Sequence, residues 1–351
     1  MSQRKRLAAL MLMLFTLLLA AACGTRDEEG GSSPAATGAS QQESGTTASE
    51  PQTEEAQSSE QPVKESAKEE PATRIVSTIK GDVEVPNRPE RIVALYMIGD
   101  VLSFGITPVG ISDVYEGAAF WDQLDGTTTL GEWFKPNQEA IIALDPDLIL
   151  VPSDETYEAL RKIAPTVLIN TFEQSPEATI AELGEVLGRQ EQAAQMIADF
   201  QVKMESGRKK LDDAGLLDKT VTLVEGGSKN VMFTVASLDY GRGSQAIYRH
   251  LGLKAPELVQ RQIDKNTANP DEEGALSLSF EILEDYIGDY VFRSSYEGMA
   301  DLSDNRLWTG IPAIKEGRLI EIPFGFCYYS DFYSLNKQID YIVDALIAAS
   351  K

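Results

Sequence analysis

The chain has 351 residues, a formal net charge of −24 at pH 7, two cysteines and one histidine. A chain this acidic is a poor partner for nucleic acid, two cysteines cannot build a disulfide framework, and one histidine leaves no cluster to hold zinc or manganese directly.

Arg4, Lys5 and Arg6 precede an apolar run, Leu7 to Ala22, that stops at Cys23. A basic start, a short apolar core and small residues predict a secretory signal over residues 1–22. Leu19-Ala20-Ala21-Ala22-Cys23 resembles a bacterial lipobox, with Cys23 as the lipidated residue, and two acyl chains suffice for stable anchoring. The linker that completes residues 23–72 is built from Ser, Thr, Gln, Glu, Ala, Pro and Gly. It cannot bury enough apolar surface to offset its conformational entropy and is expected to be a disordered leash. From Thr73 onward there are 44 acidic and 25 basic residues. With Cys23 lipidated only Cys327 keeps a thiol, so stability must come from packing.

The body predicts an α/β fold of two lobes. The first, over residues 73–185, starts with a hairpin between Arg74 and Val85 and a strand from Arg91 to Leu95. A helix near Asp100 to Gly105, strands at Val109 to Ile111 and Leu148 to Val151, a helix near Thr156 to Ile163 and a strand at Thr166 to Ile169 complete it. Alternation of strands and helices argues a mostly parallel sheet. Ser175-Pro176 opens a long helical stretch to about Leu211, with Gly184, Gly188 and Gly207 as weak points, and an interlobe helix is expected over residues 186–215. The second lobe, residues 216–351, predicts strands at Thr220 to Val224, Val231 to Val235 and Arg318 to Ile322. A helix near Ser244 to Leu251 and a terminal helix from Ser334 to Ala349 go with them.

One small device occurs in both lobes, 142 positions apart, as Asn137-Gln-Glu139 to Asp147-Leu-Ile-Leu150 and Ser279-Phe-Glu281 to Asp289-Tyr-Val-Phe292. Each has a capping residue, a Glu in the first helical turn, a Pro or Gly breaker, then an Asp leading into an apolar strand. The aspartates are expected to serve a turn at the strand start. Two matched lobes imply a cleft between them.

Val85-Pro86-Asn-Arg-Pro89-Glu-Arg91, Gly105-Ile-Thr-Pro108-Val-Gly110, the first device, Tyr240-Gly-Arg-Gly243, the second device and Trp308-Thr-Gly-Ile-Pro312 follow one another along the body. In this order they resemble the substrate-binding proteins of iron-siderophore and cobalamin importers, especially the ferric-siderophore lipoproteins of Gram-positive bacteria. The resemblance implies two Rossmann-like lobes bridged by a single long α-helix, the class III architecture of periplasmic binding proteins. It also implies a monomer, delivery to an ABC permease with a cytoplasmic ATPase, and docking on that permease through Glu139 and Glu281.

In open α/β sheets, ligands bind at the carboxyl ends of the strands. Tyr96, Trp121, Trp133, Lys135, Arg242, Arg293, Trp308, Tyr328 and Tyr329 are therefore the expected ligand contacts. The aromatics would supply faces, and Lys135, Arg242 and Arg293 would face the anionic oxygens around iron. No intrinsic cofactor is expected: Fe(III) enters wrapped in its siderophore. The single His250 most simply serves structure. A sparsely cationic, aromatic cleft favours a hydroxamate over a triply negative catecholate complex. Haem and cobalamin are the alternatives within the same fold, and a secreted hydrolase is the alternative from another class. For the last, the chain has no Gly-x-Ser-x-Gly elbow and no Gly-x-x-x-x-Gly-Lys loop.

Overall fold

A computed structural model describes residues 72–351 apart from Lys229 and Pro270. The expected signal segment, Cys23 and the linker up to residue 71 lie outside the described residues. The body opens with the hairpin β1 (Thr73–Thr78) and β2 (Gly81–Pro86). The first lobe holds β3 (Ile92–Ala94), β4 (Gly110–Ile111), β5 (Thr128–Thr129), β6 (Leu148–Val151) and β7 (Thr166–Leu168), in the order β5-β4-β3-β6-β7, all parallel. Both faces of this sheet are covered. Ile92, Ala94, Leu148 and Leu150 belong to one core, while Val93, Leu95, Ile149 and Val151 belong to another, which is why these strands are continuous apolar runs.

The second lobe holds β8 (Val221–Glu225), β9 (Val231–Val235), β10 (Ala275–Ser279), β11 (Tyr290–Ser295) and β12 (Leu319–Pro323), in the order β10-β9-β8-β11-β12. β8, β11 and β12 run parallel, and β9 is antiparallel to both β8 and β10. Strand β10 has no counterpart among the sequence-predicted elements. Its last residue, Ser279, is also the first of the second device, so its strand and capping signals overlap.

The helical stretch after Ser175 is two helices. Pro176–Leu187 is stopped by Gly188, which adopts φ 66° as a left-handed cap, and a 24-residue helix follows at Gln190–Asp213. At 1.5 Å per residue this bridge is about 36 Å long. Its buried Ala193, Phe200 and Leu211 join a core that contains residues of both sheets. Gly184 lets the two helices touch, since a Cβ there would lie 2.6 Å from that of Ala193.

The repeated device resolves into the same clamp in each lobe. Asp147 accepts the backbone N–H of Glu90 at 2.7 Å and of Arg91 at 3.0 Å, just ahead of β3. Asp289 accepts the N–H of Thr220 at 2.8 Å and its hydroxyl at 3.1 Å, just ahead of β8. Each carboxylate thus ties the start of one strand to the start of its parallel neighbour. The capping residues differ. Asn137 accepts from the N–H of Ala140 at 3.1 Å, whereas the Ser279 side chain makes no cap bond and its helix is only Phe280–Leu283.

The segment Phe324–Phe332 of the second lobe is seated in the first. Gly325 lies so close to the Glu116 carbonyl oxygen that a Cβ would stand 2.0 Å from it, and a Cβ on Gly99 would stand 1.8 Å from the Asp331 carboxylate. The Tyr329 hydroxyl accepts the N–H of Tyr115 at 3.0 Å, and Asp100 accepts the N–H of Phe332 at 2.8 Å. Asp331 caps the terminal helix Phe332–Ala349 through the N–H of Ser334 at 2.9 Å. A buried carboxylate from the first lobe and a half-buried one from the second therefore meet at one helix N-terminus, where the helix dipole favours negative charge.

Gly325→Ala sets a methyl group against backbone that has no side chain to move aside, so the seam must part. A loss of about 1–3 kcal/mol in chemical denaturation is expected, and an unchanged midpoint would show that the contact yields freely. A second expectation concerns pH. Burial, and then the charge of Asp331, raise the Asp100 carboxyl well above the carboxylate range, and burial raises that of Asp331 to about 6. The folded protein then holds protons more tightly than the unfolded chain, and this contribution to stability declines as pH rises from about 4 through 6. Asp100→Asn keeps the acceptor for Phe332 and removes the like charge, so its melting temperature should fall less than the parent's between pH 5 and pH 7.5. Parallel curves for the two proteins would exclude a proton held by this pair.

Candidate ligand cleft

The strands of both sheets end in aromatic residues. Tyr96 follows β3, Tyr115 follows β4, Trp133 and Phe134 follow β5, Phe172 follows β7, Tyr296 follows β11 and Phe324 to Tyr329 follow β12. Within the first lobe the Tyr96 ring lies 5.0 Å from Trp133 and 4.7 Å from Phe172. The cluster then crosses the seam: Tyr115 lies 4.4 Å from Tyr328 and 5.1 Å from Phe324, and Trp133 lies 5.9 Å from Tyr328. Such ring pairs are worth about 0.5–1.5 kcal/mol beyond their buried area. A cavity of about 430 Å³ opens beside them, lined by Asp113, Val114, Tyr115, Glu132, Trp133 and Phe134. Exposed aromatic side chains gather on these loops, with Tyr115 at 45%, Phe134 at 42% and Phe172 at 53%.

Arg242 closes the second-lobe side. It lies between β9 and the π-helical turn Gln245–His250, in a run of three left-handed residues, Gly241 (φ 85°), Arg242 (φ 57°) and Gly243 (φ 91°). Its guanidinium sits 3.9 Å from the Tyr328 ring centroid and 5.0 Å from that of Phe324, and its Nε donates to Glu225 at 2.5 Å. Burial works against its charge, yet Glu225 and the Tyr328 hydroxyl more than compensate, and Arg242 ends above its ordinary range. Tyr96 (φ 80°) is left-handed too, with its N–H donated to the buried Ser112 hydroxyl at 3.2 Å. Holding a non-glycine residue there costs on the order of 1–3 kcal/mol, so the surrounding structure enforces both side-chain directions.

The expected contacts divide into three groups. Tyr96, Trp133, Arg242 and Tyr328 are brought together. Trp121 is 43% exposed on the short turn Trp121–Gln123, and Lys135 is exposed next to Phe134; both stand outside the ring cluster. The third group is occupied by the fold. Tyr329 is buried with its hydroxyl on Tyr115. Trp308 is 3% exposed and packs in a core with Phe280, 6.5 Å between rings. Arg293 is 7% exposed, with its guanidinium donated to the carbonyls of Gly226 and Ala300 and set 5.6 Å from the Trp308 ring. Trp308 and Arg293 thus hold the second lobe together away from the cleft aromatics: an apolar ring and a chain of backbone acceptors made a better home for them than solvent did. Phe172 and Tyr296 were not among the expected contacts, whereas Glu225, the partner of Arg242, ends a strand whose carboxyl end was expected to face the ligand. The strand-end rule that pointed to Tyr96 reaches both of the unnamed residues. Burial pushes the Cys327 thiol up to about 12, next to Ser294, so it is inert.

Residues 97–325 match the family model described as periplasmic binding protein. The chain belongs to that family. Among curated relatives, this periplasmic binding protein is 34% identical over 295 residues to the iron(3+)-hydroxamate-binding protein YxeB of Bacillus subtilis, covering 81% of this chain and 88% of that one. It is 29% identical over 275 residues to the iron(3+)-hydroxamate-binding protein FhuD of the same organism, covering 76% and 84%. Among solved structures, FhuD2 of Staphylococcus aureus with bound ferrioxamine B superposes with a TM-score of 0.64 at 25% identity, covering 75% of this chain and all of that one.

Gln338, fully buried on the terminal helix, donates its amide to the carbonyls of Phe326 at 3.0 Å and Tyr329 at 2.8 Å and so holds the aromatic segment in place. Gln338→Leu strands both carbonyls, and a stability loss of about 2 kcal/mol is expected. The near-ultraviolet circular dichroism of the tyrosine cluster should weaken with it. A full aromatic signal in the variant would show that the segment holds its position without this side chain.

Proposed function

We propose that this periplasmic binding protein is the lipid-anchored capture component of an ABC importer, working at the extracytoplasmic face of the cell membrane and taking a ferric siderophore of the hydroxamate type into the interlobe cleft. The observation that carries this reading is the aromatic surface assembled from both lobes around one oriented guanidinium. A siderophore complex is bulky and partly apolar, with iron already coordinated, so it needs ring faces and a few donors more than metal ligands. Relatives that bind iron(3+)-hydroxamate support the same cargo. Titration with ferrioxamine-type and enterobactin-type complexes, followed by tryptophan quenching, should show tighter hydroxamate binding. Tighter catecholate binding would overturn the cargo class.

Delivery is proposed to run through Glu139 and Glu281. Both are exposed in the first turns of matching helices, and each has an exposed apolar neighbour, Ile142 at 59% and Ile282 at 45%. The Ser279 hydroxyl beside Glu281, with its own backbone N–H, holds that carboxyl below its usual range. Two carboxylates on separate lobes fix the orientation of docking on a permease more than they add affinity. The double substitution Glu139→Ala with Glu281→Ala should abolish iron uptake by cells while changing cargo affinity less than about threefold. Affinity lost in step with uptake would place these residues in support of the cleft instead.

A further inference from the structure

Glu225 ends the central strand β8 and takes the Nε edge of Arg242 at 2.5 Å, with both side chains less than one-fifth exposed. The guanidinium also lies over the Tyr328 and Phe324 rings, 3.9 Å and 5.0 Å from their centroids, and the Tyr328 hydroxyl helps to hold its charge. Close ion pairing changes what the guanidinium presents. A lone buried guanidinium attracts anions through its full charge, whereas one paired with a carboxylate is a directional donor with little net field. The surroundings do not restore the missing charge. Arg293 is committed to Gly226, Ala300 and Glu321. Lys135 stands on the exposed rim, where water screens it, and Asp113 and Glu132 line the adjoining cavity.

We infer that Glu225 sets the charge class of the cargo: by pairing with Arg242 it leaves the cleft without net positive charge, so that ferric complexes with neutral or cationic outer surfaces are accepted and anionic ones rejected. This rests on the proposed siderophore role and assigns its selectivity to one residue. Arg242 supplies the hydrogen bonds, and Glu225 cancels the charge that would otherwise draw in catecholate or citrate complexes.

The test uses Glu225→Gln, which keeps the shape and a carbonyl acceptor for the Arg242 Nε. Parent and variant are titrated with ferrioxamine B, ferric enterobactin and ferric citrate, after circular dichroism shows that both are folded. The variant should gain on the order of tenfold or more for the two anionic complexes and change less than about threefold for ferrioxamine B. Arg242→Gln added to Glu225→Gln makes the pair neutral again and should erase the gain. Glu257→Gln, an exposed carboxylate paired with Arg261 on another helix, shifts total charge equally and should change nothing. Glu225→Ala, which removes the charge without relying on the amide, should move the preference in the same direction. Equal weakening for all three complexes would make Glu225 a structural support, and an unchanged ratio would also overturn the assignment. If the parent bound none of the three, the siderophore reading itself would fall; if it bound ferrioxamine B while the ratio stayed fixed, only the role of Glu225 would.

Discussion

The seating of Phe324–Phe332 on the first lobe is the constraint from which the rest of this structure follows. At Gly325 and Gly99 the lobes approach more closely than any side chain would permit. The surrounding hydrogen bonds from Tyr115 to Tyr329 and from Phe332 to Asp100 fix the angle of approach. Because the chain runs from this seam directly into the terminal helix, and that helix packs on the bridge and on Ile98–Ser103, relative placement of the lobes is settled by buried contacts and not by a loose hinge. Tyr328 lies within the seated segment. Its ring is therefore held against Tyr115 and Trp133 by the same contacts that hold the lobes together.

Pre-organisation extends to Tyr96 and Arg242, two of the three left-handed non-glycine residues; the third, Asp145, serves the turn before β6. Tyr96 and Arg242 stand on opposite lobes in a conformation that most side chains avoid, and both touch the aromatic cluster. Strain of this sort persists only where surrounding structure overrides it. For Arg242 the override is visible in its glycine neighbours, its ion pair with Glu225 and its N–H directed at the Tyr328 carbonyl at 3.4 Å. A binding surface whose side chains are already aimed loses less conformational entropy when occupied.

Much of this was legible in the chain, for reasons that particular residues make plain. The continuous apolar runs at Leu148–Val151 and Tyr290–Val291–Phe292 could only be buried parallel strands, and the Asn137 to Asp147 and Ser279 to Asp289 repeats announced two lobes. Residues shortly after strands, such as Tyr96 and Trp133, join the aromatic cluster at the seam because strand direction carries them to that end of the sheet. Trp308 and Arg293 misled because an aromatic or a cation looks the same in sequence whether it faces solvent or closes a core. What decided their fate was the carbonyls of Gly226 and Ala300, brought to Arg293 only by folding. Pairing of β10 with β9, the seat of Gly325 on Glu116 and the ion pair of Glu225 with Arg242 are all contacts between distant segments. No local pattern encodes them.

A stiff bridge and a tight seam also constrain how the lobes move against each other. A helix of 24 residues, packed along much of its length into a core shared by both sheets, resists bending, because each displaced buried residue loses close contacts on both sides. Large rotation about such a bridge would strip Phe200 and Leu211 from that core, so motion available to the free protein is confined to small shifts of one lobe against the other. Those shifts act first on what spans the seam, namely the stack of Tyr115 and Tyr328 and the bond from Tyr115 to Tyr329. A shift of one lobe against the other would thus change the spacing of these rings, with no need to unfold either lobe. Any such shift is felt first in the aromatic wall, because that wall belongs to both lobes at once.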